Sequence, residues 1–240
     1  MPQRSEEWFA IRKTVVITAS EMGVFLTKND ATSAKARLTV ITKKLAEPIY
    51  SDESLSGFEF LMEMRAKESK AMEYNIPVQR GNALESEARD QYQLITGYDV
   101  AEIGFITDDD GLFGCSPDGM VSFYGNLTLA PESADVNATH GLEMKCPIPE
   151  THMKWLLAGG LPDEHKCQVH GSMAVTGLHR WDFMSYCPGL PPLIVKVERD
   201  QFTDDLAAGL KLLHAEYLRH GAKLKALYKE AFEPSTITNQ

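Results

Sequence analysis

The chain has 240 residues, 43% of them hydrophobic and 24% charged, which is enough to bury one substantial core and is read as a single domain over residues 1–240. No apolar run follows Met1-Pro2-Gln3-Arg4, and no stretch approaches the roughly 18 apolar residues that a membrane helix needs, so a membrane-spanning class is excluded and a cytoplasmic protein is expected. The net charge of −10 argues against a general affinity for nucleic acid, yet residues 1–50 hold eight Lys and Arg against five acids, so a local basic surface is expected there.

Residues 5–12 and 18–26 read as short helices around the apolar run Val15-Val16-Ile17, the second opened by Thr18 or Ser20 with Glu21 in its first turn. Helices are also predicted over 34–47 and 54–73, ended by Pro48 and Pro77. Another starts at Gly81, with Leu84, Ala88, Tyr92 and Ile95 forming its apolar stripe and Glu85 at the flank of that stripe. Residues 98–106 and 112–123 read as two strands joined at Asp108-Asp109-Asp110-Gly111, an acid triplet better explained as a polar hairpin turn than as a metal site. A polar excursion over 125–140 leads to a strand at 141–146. A helix near 163–177 follows, then strands at 181–187 and 193–199 and a long helix over 203–231 that packs through Phe202, Leu206, Leu210, Leu213 and Tyr217. This order predicts an α/β (α+β) fold: a mixed central sheet flanked by helices, with a helical N-terminal part. The four cysteines show no C-x-x-C spacing and are read as small buried hydrophobes.

The motif with chemical content is Cys115-Ser116-Pro117-Asp118-Gly119, followed by Leu142-Glu143-Met144-Lys145-Cys146. Side chains alternate along a strand, so Glu143 and Lys145 share one face while Leu142, Met144 and Cys146 take the other. Asp118, from a neighbouring turn, could join Glu143 and the Met144 carbonyl around a hard divalent cation, with the Lys145 ammonium close to the attacking water. Phosphodiester hydrolysis calls for such a set, because its anionic transition state is stabilised by cations that carboxylates hold in place. Lys145 would orient or deprotonate the water, or balance charge.

Five blocks in order resemble the phage lambda exonuclease family, the viral recombination nucleases of the PD-(D/E)xK superfamily. They are Trp8-Phe9-Ala10-Ile11-Arg12 with Ile17-Thr18-Ala19-Ser20-Glu21; Arg80-Gly81-Asn82-Ala83-Leu84-Glu85 with Ala88-Arg89; Cys115 to Gly119; Leu142 to Pro147; and Gln168-Val169. The resemblance implies a restriction-endonuclease-like core and a Mg²⁺-dependent exonuclease, with Mn²⁺ a possible substitute, that degrades one strand of linear duplex DNA from its 5′ end and leaves a 3′ overhang. It also implies a ring-shaped homotrimer working with a single-strand annealing protein. By the same resemblance Asp118, Glu143 and the Met144 carbonyl bind metal, Lys145 assists the water, and Glu85 and Gln168 complete the catalytic set. Arg12 and Ser20 take the 5′-terminal phosphate.

Each assignment has a plainer reading: Arg12 as a surface charge, Ser20 as a helix cap, Glu85 as a salt-bridge partner of Arg89, and Gln168 as an ordinary polar helix residue. At the level of function, the alternatives are a structure- or sequence-specific endonuclease of the same superfamily and a non-catalytic scaffold that binds DNA ends.

Overall fold

The structure is a computed structural model that describes residues 3–25, 30–48, 59, 76–122 and 139–232. The helix expected over 54–73, Glu59 apart, and the excursion over 125–140, its last two residues apart, lie outside the described residues.

Helix α1 (Glu6–Thr14) starts where the Ser5 hydroxyl accepts a hydrogen bond from the Trp8 N–H at 3.2 Å, with Glu6 and Glu7 in its first turn and Arg12 and Lys13 in its last. After strand β1 (Ile17–Thr18), the helix expected over 18–26 is a 3-10 helix, Ala19–Phe25. A 3-10 helix stacks residues i and i+3 on one edge. Here that edge carries Ala19 and Met22, both buried, against Gly171 of a later helix. Thr18 holds the position before its first residue, and Glu21 reaches back to accept from the Thr18 N–H at 3.1 Å and from its hydroxyl at 2.7 Å, the glutamate half of a capping box.

Helix α2 (Asp30–Ala46) follows, then α3 (Ile76–Thr96). Pro77 lies in the first turn of α3, where a missing N–H costs little. The apolar stripe of α3 is shorter than predicted, since Ala88 and Tyr92 are fully buried but Ile95 is exposed.

The expected pair of long strands is four short ones divided between two sheets: β2 (Asp99–Ala101), β3 (Ile106–Thr107), β4 (Phe113–Cys115) and β5 (Gly119–Ser122). Pro117 has no N–H to give a ladder, so the chain breaks step at Ser116–Asp118 and changes sheet. Strands β1, β4 and β3 form the smaller sheet, with β1 parallel to β4 and β3 antiparallel to it. The Asp108 turn is a structural one, its carboxylate accepting from the backbone N–H groups of Leu112 and Phe113 at 2.8 and 2.9 Å.

The larger sheet runs β2-β5-β6-β7-β8, where β6 is His140–Lys145, β7 Arg180–Ser185 and β8 Leu193–Glu198. Only β6 and β7 are parallel, and the crossover between them carries α4 (Pro149–Ala158) and α5 (Asp163–Thr176). The sequence reading left out α4, although Pro149 in its first turn and Gly159 just past its end, at φ 69°, are the usual start and stop signals. Helix α6 (Gln201–Phe232) closes the described chain.

One face of the sheet buries Val121, Leu142, Met144 and Met184 with Ala88 and Tyr92 of α3. The other buries Trp181 and Phe183 with Val169 and Met173 of α5 and Leu206, Leu210 and Leu213 of α6. The sheet is a layer between helices, and β6 runs through its centre. Gly141 permits the indole of Trp181 to lie on that strand, because a Cβ there would stand 2.3 Å from the ring.

Candidate active site

Asp118 occupies the turn between β4 and β5 and is bound to β6 by two contacts. Its backbone N–H donates to the Leu142 carbonyl at 3.0 Å, and its Oδ2 accepts from the Met144 N–H at 2.7 Å. Since Leu142 and Met144 point into the α3 core, Glu143 and Lys145 point toward α5, as alternation requires. Glu143 is 1% exposed. Its Oε1 accepts from Lys145 Nζ and, at 2.7 Å, from Gln168 Nε2 on α5. The fold thus brings Asp118, Glu143, Lys145 and Gln168 to one place from three segments: the β4–β5 turn, β6 and α5.

The charges are badly matched without a further cation. Burial, then the neighbouring Glu143 carboxylate, raises the Asp118 carboxyl to about 8 against the opposing pull of Lys145. Burial lowers the Lys145 ammonium, but Glu143 and Asp118 outweigh it and hold the group firmly protonated. Asp118 Oδ1 and Glu143 Oε2 accept no hydrogen bond among the described residues. Among those residues no cluster of three or more His, Cys, Asp or Glu side chains could hold a metal. Two carboxylates with spare oxygens and an adjacent backbone carbonyl suit a hard cation such as Mg²⁺, which keeps much of its water, better than zinc, which takes nitrogen and sulfur.

Glu85 faces Asp118 across a cavity of about 280 Å³, which Gln3, Arg89, Glu102, Ile103 and Gly104 also line. It is paired with Arg4 at 3.3 Å and with Arg89 at 3.2 Å, so the plainer salt-bridge reading describes its contacts. Its negative field still reaches Asp118 and adds to the rise of that carboxyl.

Arg12 and Ser20 line a second, larger cavity of about 590 Å³ together with Thr18, Lys13, Lys43 and Lys44. The Arg12 guanidinium lies 4.6 Å over the Trp8 ring and donates to the Thr18 hydroxyl at 3.3 Å; burial lowers its pKa, against the pull of Glu21. Ser20 is not the helix cap, a place taken by Thr18; its exposed hydroxyl stands 3.1 Å from that of Thr18. The basic surface expected in residues 1–50 is therefore gathered partly around this cavity.

Three sets of contacts at these sites escaped the sequence reading. His165 precedes Gln168 by one helical turn, stacks on Phe183 with ring centroids 5.4 Å apart, and is lowered to about 4 by burial and then by Lys145. Gln3 donates to the Pro117 carbonyl at 2.7 Å, and the indole of Trp8 donates to the Ser116 hydroxyl at 2.9 Å. A spacing of i, i+3 from Gln168 was the available signal for His165; the other two contacts join segments more than a hundred residues apart and had none.

Comparison with known proteins bears on the family and the fold. The description of a YqaJ-like viral recombinase domain matches residues 7–179, most of the chain and every residue of both cavities' carboxylate and arginine sets except those of the first few positions. The chain belongs to the YqaJ-like viral recombinase family. Two solved structures similar to this YqaJ-like chain are of the alkaline exonuclease LHK-Exo from Laribacter hongkongensis. One is 27% identical, with a TM-score of 0.68, covering 95% of this chain and 100% of the other. The second, LHK-Exo in complex with dAMP, is 29% identical, with a TM-score of 0.61 and coverage of 93% and 100%. A phage-related exonuclease from Haemophilus somnus 129PT, 11% identical with a TM-score of 0.51 and coverage of 88% and 96%, shares the fold. No curated protein matched the chain. The resemblance to viral recombination nucleases, drawn from five short blocks, agrees with both the family and the fold. No helix among the described residues is long and apolar enough to cross a membrane.

Proposed function

We propose that this protein is a divalent-metal-dependent exodeoxyribonuclease that degrades one strand of linear double-stranded DNA from its 5′ end, leaving 3′ overhangs for a single-strand annealing protein. The observation that carries the reading is the buried group of Asp118, Glu143, Lys145 and Gln168, with two carboxylate oxygens to spare, in a chain similar over its length to an alkaline exonuclease. Asp118, Glu143 and the Met144 carbonyl hold Mg²⁺, or Mn²⁺ in its place. The bound cation supplies the charge that stabilises the transition state and activates water. Lys145, kept protonated by two carboxylates, orients that water and neutralises charge rather than accepting a proton. Gln168 donates to Glu143 Oε1 at 2.7 Å and so would hold the carboxylate with its other oxygen left for a metal ion.

Arg12 and Ser20 take the 5′-terminal phosphate, which favours an enzyme of DNA ends over an endonuclease. The dAMP bound by the related LHK-Exo is a nucleoside monophosphate, the kind of product an exonuclease releases. A homotrimeric ring in the host cytoplasm, built from a single domain per chain, completes the proposal. Incubation of linear and covalently closed plasmid with Mg²⁺ tests it. Loss of the linear form alone, abolished by a chelator, is expected. Cutting of the closed form would establish the endonuclease reading instead, and loss of neither form would leave the scaffold.

A further inference from the structure

One side chain of helix α1, Trp8, touches residues that line both cavities. The Trp8 indole N–H donates to the Gly104 carbonyl at 2.7 Å and to the Ser116 hydroxyl at 2.9 Å, two residues before Asp118. The face of the same indole carries the Arg12 guanidinium at 4.6 Å. Trp8 is 8% exposed, so both contacts are made in a packed setting. Two further contacts bind the same segments: Gln3 Nε2 donates to the Pro117 carbonyl at 2.7 Å, and Thr18, which accepts from Arg12, pairs with Gly114 in the parallel β1–β4 ladder. The arginine of the larger cavity and the carboxylate turn of the smaller one are thus joined by an indole on one side and a strand pair on the other.

We infer that Trp8 is a positioning residue that fixes the distance between the end-phosphate pocket and the carboxylate site, so that a phosphate seated at Arg12 places the scissile bond at Asp118 and Glu143. The inference rests on the proposed 5′-phosphate reading of Arg12 and Ser20. An anchored phosphate accelerates cleavage only when its anchor is rigid with respect to the reacting groups, and a misplacement of 1 Å costs about a hundredfold in rate. The indole meets that need because one flat group supplies a stacking face to one site and a directed donor to the other. Phenylalanine would retain the first function and lose the second.

The test compares kcat and KM on linear duplexes that bear a 5′-phosphate or a 5′-hydroxyl, for the parent, Trp8→Phe and Ser116→Ala. In Trp8→Phe, kcat on the phosphorylated duplex is expected to fall about tenfold. Its KM should stay near the parent value and kcat on the hydroxyl duplex should change little, so that the advantage of the phosphate disappears from kcat. Ser116→Ala, which removes only the hydroxyl that receives the N–H, should shift the ratio in the same direction by a smaller factor, and it tests the inference even if Trp8→Phe fails to fold. An equal fall on both substrates would make Trp8 merely a support of the Asp118 turn and overturn the inference, as would an unchanged ratio in both variants. A parent indifferent to the phosphate would instead overturn the end-phosphate reading beneath it.

Discussion

Glu143 is a buried carboxylate that accepts from one ammonium and one amide, both at the same oxygen. Lys145→Ala takes away the ammonium and leaves a buried charge, a change that costs about 3 kcal/mol. Thermal unfolding of that variant should therefore show a loss in the metal-free protein that Mg²⁺ largely restores. Its kcat should fall about 10²–10⁴-fold with duplex KM little changed; turnover near that of the parent would remove Lys145 from the mechanism. Asp118 behaves in the opposite sense. Its carboxyl, raised to about 8 by burial and Glu143, holds its proton more tightly in the folded protein than in the unfolded chain. The ionised group consequently opposes folding, more so as pH rises from the ordinary carboxylate value near 4 to about 8. Asp118→Asn should raise the metal-free unfolding temperature more at pH 9 than at pH 5 and weaken the response to Mg²⁺, both measurable by calorimetry. A variant that matches the parent in Mg²⁺ titration would show that Asp118 is not a ligand. The Asp118, Glu143 and Lys145 set was legible in the sequence because strand alternation decides which side chains share a face. The place of His165, one turn before Gln168, where it stacks on Phe183 and feels the Lys145 charge, was not, since only the packing of α5 on the sheet brings it close.

Strands β6 and β7 bind α3 through a buried polar group on the face opposite the active site. Asp182 accepts from Arg180 Nε and Nη2, both at 2.8 Å, and from the Tyr92 hydroxyl of α3 at 2.7 Å, with His140 Nε2 at 3.4 Å. Burial raises the Asp182 carboxyl, but hydrogen bonds from His140, Arg180 and Tyr92 outweigh it and bring it to about 2. A carboxyl lowered on folding stabilises the protein above its unfolded value near 4, and that contribution is lost as pH falls toward about 2. Asp182→Asn should cost about 3 kcal/mol at neutral pH by leaving Arg180 without its partner. Denaturant unfolding should find the difference from the parent shrinking as pH falls below about 4; a constant difference would assign the loss to packing alone. The elements themselves were mostly legible where periodicity was long, as in α6 with Leu206, Leu210 and Leu213 buried on one side. They were illegible where two- or three-residue strands change sheet at Pro117, because a sheet partner is a tertiary fact.

On the proposed function an acidic chain would have to hold a polyanion with a small basic region, and Arg12, Lys13, Lys43 and Lys44 around one cavity are a limited grip. A closed ring would replace part of that attraction by topology. Light scattering at micromolar concentration should give the mass of three chains, and a monomer that retains full activity would make the ring unnecessary. Charge at this scale was only half legible, since the count located the basic region but not the cavity around which it gathers. The most direct test of the whole account follows a linear, 5′-phosphorylated duplex labelled at the 3′ end of one strand, with Mg²⁺, on a denaturing gel. The labelled strand should shorten progressively from its unlabelled 5′ end while keeping its label, and Asp118→Asn should leave it whole. Early release of the 3′ label, or undiminished degradation by the Asp118 variant, would contradict it.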